Sequence, residues 1–112
     1  MRLSSEAVLL RVFIGESDRI EGKLLYEAIV EEARKKNLAG ATVMRGILGF
    51  GANSRIHTSK ILRLSEDLPI VVEIVDEEDK IQAFLPQLDK MVSEGLVTLE
   101  KAHVMSYRHH SK

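Results

Sequence analysis

Between Arg45 and Lys60 the chain reads Arg-Gly-Ile-Leu-Gly-Phe-Gly-Ala-Asn-Ser-Arg-Ile-His-Thr-Ser-Lys. Gly46, Gly49 and Gly51 fall within six positions, beside Phe50 and among Arg45, Arg55, His57 and Lys60. Glycine admits positive φ and lets backbone approach a ligand closely. Successive N–H groups in such a turn form a concavity for an anion, which Arg, Lys and His side chains reinforce. The spacing is G-x-x-G-x-G, with no Gly-Lys-Ser/Thr and no helix after it, so it is neither a dinucleotide fingerprint nor a Walker loop. A glycine-rich hairpin carrying a few solvated bases has the same composition. The flanks favour an anion. From Ala33 to Ser65 there is no acid, while Arg34, Lys35, Lys36, Arg45, Arg55, Lys60 and Arg63 are basic, within a chain of net charge −1. The stretch Lys101–Lys112 is also free of acids and carries Arg108. Asymmetry of this kind points to an anionic partner.

Other chemistry finds little support. There is no cysteine, hence no thiolate metal site, redox pair or disulfide. His57 and His103 stand alone, and His109-His110 are neighbours without a carboxylate at ligand spacing, so no dedicated metal site is expected. Asp76-Glu77-Glu78-Asp79 has the sign that a helix N-terminus favours. No serine elbow is present, and the protein is expected not to be an enzyme. Five aromatic residues and no Trp argue against base stacking and so against nucleic acid. No apolar run approaches the roughly 20 residues of a membrane span, and Met1–Glu6 does not read as a signal peptide. A cytoplasmic protein is the expectation.

The 112 residues suit one domain, taken as 1–112. Glu6–Ile14 is an apolar run ended by Gly15, a buried strand by length. Asp18 and Glu21 have capping-box spacing ahead of a helix with apolar stripes Ile20, Leu24, Ala28 and Leu25, Ile29, Ala33. Leu38-Ala39-Gly40 closes that helix. Ala41–Leu48 reads as a second strand, 49–59 as loop, and a third strand runs from near Lys60, with a break at Pro69, to Val75. Asp76 caps a second helix that Pro86 should kink or split. Leu96–Tyr107 follows Gly95 as a fourth strand. The order βαββαβ predicts an α+β, ferredoxin-like fold: four antiparallel strands with both helices on one face.

In that fold central strands should alternate apolar and polar. Yet Ala7–Leu10, Val12–Ile14, Ile70–Val72 and Ile74-Val75 are apolar on both parities, interrupted only by Arg11 and Glu73. Those two can pair across neighbouring strands. The uncovered face is expected to pack against other copies of the chain.

Thr42-Val43, Gly49-Phe50-Gly51 and His57-Thr58 resemble the PII (GlnB-like) signalling proteins, with a Thr-Val strand, a Gly-Phe-Gly opening a regulatory loop, and a His-Thr beyond it. Val72-Glu73-Ile74-Val75-Asp76-Glu77 resembles their third strand and second helix start. Most of the chain resembles bacterial PII-like proteins of this length. The resemblance implies a homotrimer holding an adenine nucleotide (ADP, AMP or ATP) in clefts between subunits, no other cofactor, and a regulated target such as a membrane transporter or an enzyme. The residues so implied are Arg45, Gly46, Gly49, Phe50, Gly51, Arg55, His57 and Arg108, with 52–59 as the switching loop. Departures are clear. Ala52-Asn53 replace an Arg-Gln, no tyrosine stands at the modified position, and a second glycine-rich loop is reduced to Ser93-Glu94-Gly95-Leu96. An alternative of the same topology is a trimeric divalent-cation tolerance module with His57 and His103 as ligands.

Overall fold

The computed structural model describes residues 5–51, 57–58 and 67–108. The elements are β1 (Glu6–Gly15), β2 (Arg19–Ile20), β3 (Lys23–Leu24), α1 (Leu25–Lys35), β4 (Thr42–Arg45), β5 (Leu48–Gly49), β6 (His57–Thr58), β7 (Pro69–Asp76), α2 (Glu78–Met91) and β8 (Leu96–His103). Four of them form one antiparallel sheet in the order β4-β7-β1-β8. This is the predicted ferredoxin-like α+β fold.

Val8, Leu10, Val12 and Ile14 of β1 and Ile70, Val72 and Ile74 of β7 point to the helices. They pack with Leu25, Ile29 and Ala33 of α1 and Ile81, Phe84 and Leu88 of α2. Burying each larger side chain stabilises the fold by about 1.5–3 kcal/mol. On the other face the register lines up Leu9, Arg11 and Phe13 with Val75, Glu73 and Val71, and with Glu100, Thr98 and Leu96. No element covers that face among the described residues, and Phe13, Met44 and Leu96 remain 37%, 42% and 57% exposed. Arg11 pairs with Glu73 as expected, Nε to Oε2 at 2.8 Å, and also with Glu100 at 2.9 Å.

Local expectations needed correction. Asp18 and Glu21 do not start α1. Asp18 Oδ2 accepts the Gly15 N–H at 2.9 Å, and the chain turns back as the β2–β3 ribbon. Glu21 and Gly22 take φ of 49° and 83°, which suits a two-residue hairpin turn. The helix therefore begins at Leu25, without a side-chain cap. Its end comes earlier than Leu38-Ala39-Gly40. Asn37 adopts φ 61°, and the Leu38 N–H donates to Ala33 O at 3.1 Å, closing the last turn. Pro86 neither splits nor ends α2, which runs unbroken over Glu78–Met91. The second strand is shorter than 41–48, stopping at Arg45 before Leu48-Gly49 pairs separately with His57-Thr58. Pro69 opens β7, where a missing N–H is tolerated, and the proposed strand start at Lys60 lies outside the described residues. The last strand ends at His103.

Asp76 is fully buried. It precedes the helix N-cap, Glu77, rather than serving as one. Its Oδ1 accepts the Glu77 N–H at 2.7 Å and its Oδ2 the Ala39 N–H at 2.8 Å.

Candidate functional site

At the end of β4 the sheet gives way to a tight turn. The Gly46 N–H donates to Pro69 O at 2.7 Å. A Cβ on Gly46 would lie 2.9 Å from Pro69 Cγ, and one on Gly49 would lie 3.1 Å from it. Both glycines keep backbone angles open to other residues. Close approach to the proline ring, rather than positive φ, is what requires them. Phe50 follows, 72% exposed, with Ile47 and Leu48 at 74% and 62%. β5–β6 pairing sets Gly49 opposite His57, in a two-stranded ribbon separate from the main sheet.

Arg45 reaches this end from β4, and its Nη2 pairs with Glu16 Oε2. The loop after β1 and the residues leading into β7 add further acids. Asp67 Oδ1 accepts the Ser17 N–H at 2.8 Å, and Asp18 holds the Gly15 N–H. The base in the glycine turn is thus neutralised within one chain. An anion entering there must compete with Glu16 for Arg45. Sequence reasoning missed Glu16, Asp67 and Pro69 as parts of this end. The acidic run Gly15-Glu16-Ser17-Asp18 was visible, but no local pattern pairs it with Arg45, 29 positions away.

The structure therefore brings together Arg45, Gly46, Gly49, Phe50, Gly51 and, by strand pairing, His57. Arg55 and most of the proposed switching loop lie outside the described residues. Arg108 is not at this end. After β8 the chain passes the far end of the sheet, where the Val104 N–H donates to Ser5 O at 2.7 Å and the Tyr107 Oη donates to Ala39 O at 2.9 Å. Ala39 is tied to Asp76, six residues along β7 from Ile70, the partner of Arg45. At about 3.3 Å per residue that is ~20 Å from the glycine turn. His103, opposite Glu6 on β1, also lies at that far end. The backbones of His57 and His103 thus stand at opposite ends of the sheet, and the described residues hold no group of three metal-capable side chains.

This ferredoxin-like fold is shared by solved structures. CPII from Thiomonas intermedia K12, a PII-like protein solved with ADP and bicarbonate, superposes at TM-score 0.59 with 14% identity over 88% of each chain. A second CPII structure, with ADP, AMP and bicarbonate, gives 0.61 at 14% identity and the same coverage. A DUF3240 family protein from Shewanella baltica gives 0.56 at 15% identity, over 97% of this chain and 100% of that one. The DUF190 family model ("Uncharacterized ACR") matches residues 7–104, and the chain belongs to that family. A UPF0166 protein of Aquifex aeolicus is 44% identical over 97 residues, 87% of this chain and 91% of the relative. Another, from Methanocaldococcus jannaschii, is 35% identical over 100 residues, 88% and 92% of the two chains. The family is therefore not confined to bacteria, as the resemblance had implied.

Proposed function

We propose that the protein is a non-enzymatic, PII-like regulatory protein, a homotrimer that binds an adenine nucleotide in clefts between its subunits. The observation that carries this reading is the separation of its basic elements. The glycine turn with Arg45, Gly46, Gly49, Phe50, Gly51 and His57 sits at one end of the sheet, and Arg108 follows Tyr107, whose side chain is bonded to Ala39 about 20 Å away at the other. A phosphate group cannot touch both within one chain. Packing the half-exposed apolar face against other copies would let Arg108 of one copy complete the turn of the next. The nucleotides in the CPII structures supply the ligand class. Binding would draw Arg45 from Glu16, and with Arg55 it would reorder residues 52–59 into a surface that a target protein reads.

Calorimetric titration with ADP, AMP and ATP tests the ligand. Saturable binding of at least one nucleotide is the expected result, and Arg108→Ala weakens it about tenfold or more. Unchanged affinity in that variant removes Arg108 from the site.

A further inference from the structure

The outer, helical layer carries a feature that the nucleotide reading does not use. Lys80, Ala83, Phe84, Gln87 and Lys90 recur along α2 at spacings that place them on one face of the helix. Together with Lys36 and Leu38, just beyond α1, they line a groove of about 380 Å³. Phe84 forms its buried floor, while the small Ala83 and the flat Pro86 are exposed along it. No acidic side chain lines the groove. Lys36 is loosely engaged, 3.9 Å from Glu32. Lys80 Nζ donates to Asn37 O at 3.1 Å, and neither Lys80 nor Lys90 has an ion-pair partner among the described residues.

Lys80 and Lys90 stand about 15 Å apart along the helix axis. Sites for small molecules enclose most of the ligand surface. This groove, with Ala83, Pro86 and Lys90 exposed, cannot do so. Its shape suits a chain segment laid along it, with apolar contact in the middle and negative charge at both ends. We propose that this groove is a docking site for an acidic amphipathic helix of a partner protein, lying along α2 with carboxylates at Lys80 and Lys90. Ala83 and the flat ring of Pro86, exposed between the lysines, leave room for an apolar side chain of the partner helix. This proposal does not depend on nucleotide binding.

The test uses fluorescence anisotropy and a labelled helical peptide of about 15 residues, with glutamates near both ends and leucine and alanine between. A second peptide has lysine at each glutamate position. The acidic peptide is expected to bind the full chain and the lysine peptide not to. Lys80→Glu with Lys90→Glu should weaken binding about tenfold or more, with an unchanged circular dichroism spectrum. Should that pair misfold, Lys80→Gln with Lys90→Gln, which only neutralises the charges, must still weaken it several-fold. The proposal is overturned if the acidic peptide does not bind, if both peptides bind alike, or if a folded variant binds as tightly as the natural chain.

Discussion

At Gly46 and Gly49 the deciding contact is with one proline ring. A methyl group on Gly46 would meet Pro69 Cγ at 2.9 Å, and a rigid ring at a strand start has little room to yield. Gly46→Ala should therefore cost about 1–3 kcal/mol in urea denaturation and displace the turn. A neutral outcome would show that Pro69 moves freely. Gly95 is stricter. Its φ is 153°, and an added Cβ would lie 2.7 Å from Phe13 O. Asp76 acts as a buried acceptor, and Asp76→Ala would strand the Ala39 and Glu77 donors, costing about 2–4 kcal/mol. The clustering of glycines was legible because glycine is rare enough for three in six positions to stand out. Their reason was not, because Pro69 lies 20 or more positions away along the chain.

At the scale of elements, the apolar stripes of α1 and both central strands were readable from periodicity, since burial and periodicity share one cause. The boundaries were not. Asp18 and Glu21 match a capping box, but Asp18 is already satisfied by Gly15, and Glu21-Gly22 turn the chain before any helix starts. Pro86 was expected to kink or split α2, and no split occurs. Instead burial of Ile81, Phe84 and Leu88 holds the helix across it. Proline inside a helix is costly, so Pro86→Ala should raise stability by about 1–3 kcal/mol, read as a higher denaturant midpoint at constant slope. A lower midpoint would mean that the ring's own packing outweighs the lost hydrogen bond. The β2–β3 ribbon is tied to α1 by Lys23 and Glu31 at 2.5 Å. That hydrogen bond and the lysine charge hold the Glu31 carboxyl below its usual range. A depressed carboxyl contributes stability above its unfolded value, and loses it as pH falls through the folded one. Lys23→Met should therefore flatten the acid limb of the stability–pH profile between those two values, followed by urea midpoints.

For the whole molecule, the uncovered sheet face and the split basic residues meet in one arrangement. Arg11, held between Glu73 and Glu100, sits at the centre of that face, with Leu9, Phe13, Val71, Val75 and Leu96 around it. Packing this face against other copies would desolvate the cluster, so Arg11→Ala, which leaves two carboxylates facing each other, should dissociate the assembly in light scattering. A natural chain of monomer mass at micromolar concentration would contradict the trimer. Charge along the chain suggested a place for an anion, and Arg45 of the basic stretch stands beside the glycine turn. Only the fold shows that Glu16 neutralises Arg45 there and that Arg108 is at the far end. Mixed assemblies of Arg108→Ala and Gly51→Val chains should recover part of the binding that each loses alone, because some clefts then draw both halves from intact copies. The most direct measurement is titration of the natural chain with ADP, AMP and ATP in the calorimeter. Saturable binding of at least one of the three, at up to one nucleotide per chain, is the expected result. Absence of binding by all three at about 1 mM, an affinity too weak for a built cleft, would contradict it.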